Sequence, residues 1–119
     1  MAKKQVVLVE DNESIRELIE YMLTDEGLEV VSFSSVGNFC NSAMDVSPDL
    51  YILDIMLPDG SGIDICKALK SKPTTQDTPI IMMSAHVNNL DCNCDAADFI
   101  AKPFDIDYFI SRINQQICG

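Results

Sequence analysis

A chain of 119 residues that is 47% hydrophobic and 23% charged suits one domain with a packed core, and it excludes both disorder and a second domain of ordinary size. Nineteen acidic residues against eight basic ones give a net charge of −11, which excludes a surface that neutralises nucleic-acid phosphates or docks on an anionic membrane. No apolar run approaches the roughly 18 residues of a membrane span, and the run after Met1-Ala2-Lys3-Lys4 is too short for a signal peptide, so the chain reads as cytoplasmic.

The first apolar run, Val6-Val7-Leu8-Val9, is continuous, as a strand covered on both faces should be. Ile15, Leu18, Ile19, Met22 and Leu23 then recur at the spacing of one helical stripe. Asn12 or Ser14 can cap that helix, and Gly27 stands where a left-handed stop belongs. Glu29 to Ser34 reads as a second strand and Val36 to Met44 as a weaker helix.

Leu50-Tyr51-Ile52-Leu53-Asp54 is the third strand, left through the turn signal Leu57-Pro58-Asp59-Gly60. Ile65, Cys66 and Leu69 share a face of the next helix, which should stop before Pro73. Ile80 to Ser84 and Phe99 to Ala101 complete the strands, and Ile106, Phe109, Ile110, Ile113 and Ile117 form the stripe of a last helix. Between those two strands, Asn88, Asn89, Asn93, Asp91 and Asp95 compete with helical backbone bonding, so the fourth helix should be short or degraded. Strands alternating with helices predict an α/β fold: a five-stranded parallel sheet of order 2-1-3-4-5 with helices on both faces.

The cysteines, Cys40, Cys66, Cys92, Cys94 and Cys118, are odd in number and irregular in spacing, which fits free thiols in a reducing compartment. Cys92-Asn93-Cys94 with His86 lacks the second pair that a structural zinc site needs.

Ligands of open parallel sheets bind beyond the carboxyl ends of the strands, where the strand order reverses. Here the strand ends carry Glu10 and Asp11, then Asp54, Ser84 and Lys102. Any one polar strand end means little, but five at the switch-point edge are hard to ascribe to loop composition.

At this point the sequence resembles the receiver domains of two-component response regulators, over essentially the whole chain. The resemblance rests on Val-Glu-Asp at 9–11, Leu-Asp-Ile-Met-Leu-Pro-Asp-Gly at 53–60, Met-Ser-Ala at 83–85 and Lys-Pro-Phe at 102–104. Asp54 follows Asp11 by 43 positions, and Ser84 follows Asp54 by 30. It implies a flavodoxin-like receiver spanning residues 1–119, with Asp54 as phosphoryl acceptor. Asp11 and Asp54 would bind Mg²⁺ directly and Glu10 through water, and the backbone carbonyl of Met56 would complete the protein's ligands. The Lys102–Pro103 peptide would be cis. Ser84 would respond to the phosphoryl group, with Phe99 rotating into the space it vacates.

That assignment suits the residue types. Clustered carboxylates raise one another's proton affinities, and hard oxygen ligands suit Mg²⁺. Three carboxylates and Lys102 sum to about −2, which one Mg²⁺ brings to about neutral. The domain would catalyse only its own phosphorylation and dephosphorylation, taking phosphate from a sensor histidine kinase or a histidine phosphotransfer protein. It would then signal by protein contact, either standing alone or as part of a larger regulator.

Two features depart from the family. Ser84 to Lys102 spans 18 positions, about one helical turn short, and Ala96 or Ala97 replaces a frequent Gly. Met56 and His86 would flank the phosphoryl site and tune phosphate lifetime. A binding-only pseudo-receiver is opposed by the intact set Glu10, Asp11, Asp54, Ser84 and Lys102. A haloacid dehalogenase-type phosphatase wants a second Asp where Met56 stands. A flavin-binding reading would set Glu10 and Asp11 against the cofactor phosphate.

Overall fold

The structure, a computed structural model, describes residues 3–42, 48–85 and 96–118. Strands β1 (Gln5–Val9), β2 (Glu29–Phe33) and β3 (Leu50–Asp54) precede a two-stranded hairpin, β4 (Met56–Leu57) and β5 (Gly60–Ser61). Strands β6 (Ile80–Ser84) and β7 (Asp98–Ala101) follow. The main sheet is parallel in the order β2-β1-β3-β6-β7, which is the expected 2-1-3-4-5 arrangement of its five strands.

Helices α1 (Glu13–Asp25), α2 (Val36–Ser42), α3 (Gly62–Lys70) and α4 (Ile106–Cys118) cover both faces. Successive strand residues point to opposite faces, so each strand feeds two cores. Val6, Leu8, Ile52 and Met83 pack with Ile19 and Leu23 of α1 and with Phe109 and Ile113 of α4. Val7, Val9, Leu53 and Met82 pack with Phe39 of α2 and with Ile65, Cys66 and Leu69 of α3. Every residue of β3 and β6 is buried, which is why both read as unbroken apolar runs.

Local signals set the helix ends. Asn12 is the cap of α1, its side chain accepting from the Ile15 N–H. At the other end Gly27 has φ of 84°, the Leu28 N–H bonds the Leu23 carbonyl, and the Gly27 N–H bonds the Thr24 carbonyl. Those paired bonds satisfy carbonyls that the helix itself leaves open. Ser61 caps α3 through the Ile63 N–H, and α3 ends at Lys70, before Pro73.

Three local expectations change. The turn after β3 is a hairpin, Met56 pairing with Ser61 and Leu57 with Gly60. The second strand ends at Phe33, one residue early, and the last begins at Asp98, one residue before Phe99. Leu18 and Ile106, placed in the buried stripes, are 42% and 50% exposed. They line an open groove of about 360 Å³ between α1 and α4, with Tyr21 and Ile110. Met44, at the end of the second helical pattern, and the expected fourth helix lie outside the described residues, as do His86, Cys92 and Cys94. Cys40 is an exposed free thiol, and Cys66 is buried in the core.

Candidate phosphoryl-acceptor site

Register brings the strand ends to one edge. Val9 pairs with Leu53, Asp54 with Met83, and Ser84 with Ala101. The residues that terminate or follow β1, β3, β6 and β7 are therefore Glu10, Asp54, Ser84 and Lys102, side by side. Glu10 and Ser84 are essentially buried, and Asp54 is 5% exposed. Asp11 is exposed at the rim.

Lys102 crosses from the end of β7 to both acids. Its ammonium donates to Asp54 Oδ2 at 2.9 Å and to Glu10 Oε1. The Lys102 N–H donates to the Ser84 carbonyl at 2.8 Å, and the Lys102–Pro103 peptide is cis. The other carboxylate oxygens are held by the backbone: Asn12 N–H donates to Glu10 Oε2 at 3.1 Å, and Met56 N–H to Asp54 Oδ1 at 3.2 Å.

Burial is the main reason that the Glu10 carboxyl is pushed up to about 7; the Lys102 ammonium opposes it, and neighbouring Asp54 adds to it. Burial acts to lower the Lys102 ammonium, but Glu10 and Asp54 outweigh it and hold its proton more firmly than usual. Repulsion among carboxylates was the anticipated cause at Glu10, and desolvation is the larger one.

The residues present fit a hard divalent cation. Glu10, Asp11 and Asp54 each offer a carboxylate oxygen, and the three oxygens lie within 4.8 Å of one another. Among the described residues this is the one such cluster of three acidic, Cys or His side chains. Lys102 meanwhile partly neutralises it.

Ser84 stands one residue past Met83, the register partner of Asp54, and Phe99 lies one strand further out. Phe99 pairs with Met82 across the sheet and packs on the α2–α3 side. Ser84 follows Met82 by two positions and so faces the same side. The supports behind the acids come from α1 and its cap and are not among the strand-end residues. Arg16 of α1 reaches back to the Glu10 carbonyl at 3.0 Å and the Asp11 carbonyl at 3.4 Å. Its charge within an acidic helix was the available signal. Asn12, named only as a cap, also holds Glu10.

An acid cradle at the strand-order reversal, bridged by a lysine from the last strand, is the arrangement of a phospho-accepting signalling domain on the flavodoxin-like fold. The chain belongs to the response regulator receiver domain family, which it matches over residues 6–114. It is 34% identical over 116 residues to the phosphate regulon transcriptional regulatory protein PhoB of Escherichia coli, covering 92% of this chain and 50% of that one. The chain thus spans about half the length of the curated relatives it matches.

Among solved structures, a response regulator from Chloroflexus aurantiacus superimposes with a TM-score of 0.91 at 24% identity, over 99% of this chain and 100% of that one. The response regulator TrrA from Thermotoga maritima, solved with Mg²⁺ and BeF, gives 0.86 at 25% identity, over 95% and 98%. Among the described residues, no helix is long and apolar enough to cross a membrane.

Proposed function

We propose that this chain is a phosphorylation-controlled switch that accepts a phosphoryl group on Asp54 from a histidine kinase or a histidine phosphotransfer protein. The observation that carries the reading is the position of Asp54, buried at the end of β3 with Oδ2 on the Lys102 ammonium and the acids Glu10 and Asp11 beside it. In the transfer, an Asp54 carboxylate oxygen forms a bond to phosphorus. The phosphorus–nitrogen bond of the donor breaks, its electron pair leaving with the imidazole, and Asp54 becomes an acyl phosphate.

Glu10, Asp11, Asp54 and the Met56 carbonyl are the groups assigned to hold Mg²⁺, which when bound supplies the positive charge that an incoming anion needs at this acidic edge. Lys102 contributes the fixed cation of the chain. Already in contact with Asp54, it shifts from carboxylate to phosphoryl oxygen without crossing the site. The strand backbones orient Asp54, and burial limits water around the acyl phosphate. Met56, exposed next to Asp54, stands where it can gate that water, and slow hydrolysis resets the switch.

The response is assigned to Ser84 and Phe99. The Ser84 hydroxyl turns to donate to a phosphoryl oxygen, and Phe99, on the same side of the neighbouring strand, moves into the vacated space. This is a population shift between two packings. A net charge of −11 supports a readout by protein contact, and the exposed free thiol of Cys40 suits the reducing cytoplasm.

The test is incubation with acetyl phosphate and Mg²⁺ followed by intact mass. The native chain should gain one phosphoryl group and Asp54→Asn none. A native chain that gains nothing is a binding-only relative of the switch, and the proposal is then wrong.

A further inference from the structure

The β4–β5 hairpin leaves directly from Asp54 and returns into α3, and both of its ends are clamped. At its base the Met56 N–H bonds Asp54 Oδ1 at 3.2 Å, and the Gly62 N–H bonds the Ile55 carbonyl at 2.9 Å. A Cβ on Gly62 would lie 2.1 Å from the Asp54 carbonyl oxygen, so no side chain fits there. At its tip Asp59 reaches across to the start of α2. Its Oδ1 accepts from the Val36 N–H and its Oδ2 from the Gly37 N–H, both at 2.9 Å.

The packing at the tip is also tight, though less so than at the base. A Cβ on Gly60 would meet Val36 Cγ2 at 3.0 Å, and a Cβ on Gly37 would meet Asp59 Oδ2 at 3.2 Å. Glycine is used at three positions to let the hairpin lie against α2 and β3 without a gap. The two N–H groups also hold the Asp59 carboxyl below its ordinary range. An exposed carboxylate gripping two backbone donors on another element fixes direction as well as distance.

We propose that Asp59 is a positioning residue for the metal site: its two-point grip on α2 fixes the hairpin and, through it, the placement of Met56 beside Asp54. This rests on the reading of the Met56 backbone carbonyl as a metal ligand. Asp59 touches neither Asp54 nor the phosphoryl group; it acts through Met56. Outer supports of metal ligands commonly carry 10–100-fold of affinity. Asp59 stands one step further out, so a loss of about three- to tenfold is expected.

The test is calorimetric titration of Mg²⁺ into the full chain, the native form beside Asp59→Asn, Asp59→Glu and Asp11→Asn. All are titrated well below their melting transitions, where a role in stability alone leaves affinity unchanged. Asparagine keeps the shape but replaces one acceptor oxygen with a donor, and glutamate keeps the charge but displaces it. Both should weaken Mg²⁺ binding about three- to tenfold, and Asp11→Asn should weaken it more. Native affinity in Asp59→Glu with loss only in Asp59→Asn would show an effect of charge alone and overturn the proposal. Native affinity in both, with Asp11→Asn impaired, would overturn it and leave the phosphoryl-acceptor reading standing. A native chain that binds no Mg²⁺ would overturn both.

Discussion

The two ends of the functional edge are built differently. Glu10 and Asp54 close β1 and β3, strands flanked on both sides by other strands, and all five residues of β3 are buried. Ser84 closes β6, itself wholly buried, and Phe99 stands on β7, an edge strand of which only Ile100 is fully buried. The acceptor end is held from several directions, by Lys102, Asn12, Met56 and Arg16. Strand β7 is pinned at its start, where Arg112 bonds Asp98, and at its end, where Lys102 N–H bonds Ser84, with Phe99 between. Chemistry needs fixed geometry and a response needs something that can repack. On the proposed reading, the sheet would supply the first at its centre and the second at its margin.

Removing the bridge between the ends should have the largest effect. Lys102→Ala takes away the cation aimed at Asp54, and phosphorylation by acetyl phosphate should slow by about 10²–10³-fold, read by intact mass against time. A rate within a few fold of native would place the phosphoryl group away from Lys102. Stability should divide along the same line. Leu53→Ala, in the buried centre, should cost about 2–5 kcal/mol. Phe99→Ala, half-buried at the margin, should cost about 1–2 kcal/mol. Urea denaturation gives both values, and equal losses would erase the contrast.

The acceptor end should also titrate where the responder end does not. The Glu10 carboxyl stands at about 7 in the folded protein against an ordinary 4.5. The folded state therefore holds the proton more tightly than the unfolded one. Without Mg²⁺, this stabilisation is complete below about pH 4.5 and lost as pH rises through about 7, an effect on the order of 3 kcal/mol. Glu10→Gln should flatten the dependence across that window. A native chain whose stability rises from pH 4.5 to 7 would contradict the assignment. The smallest effect should be that of Ser84→Ala: within about 1 kcal/mol of native stability, with Asp54 still phosphorylated but the packing of Phe99 unresponsive. A native-like change at Phe99, read by NMR, would remove Ser84 from the switch.

The fold was legible because burial on both faces writes β1, β3 and β6 as continuous apolar runs, and crossover handedness then sets their order. The acids were legible because strand ends at a switch point are few. The hairpin was not: two residues per strand are too short for any alternation, and only its turn chemistry showed. Leu18 and Ile106 misled for another reason. A stripe records which face of a helix is apolar, not how far the neighbouring helix covers it, and α1 and α4 leave a groove there. The grips of Arg16 on two carbonyls and of Asp59 on α2 are backbone contacts: a lone base in an acidic helix hints at the first, and a turn residue says nothing of the second.

The most direct test of the division between the two ends is amide hydrogen exchange on the Mg²⁺-bound chain before and after phosphorylation, with Asp54→Asn treated identically. Protection should change at Ser84 and across Asp98–Ala101, with β1 and the body of β3 unchanged, and nothing should change in Asp54→Asn. Changes centred on β1 and β3 with β7 silent, or the same change in Asp54→Asn, would contradict it.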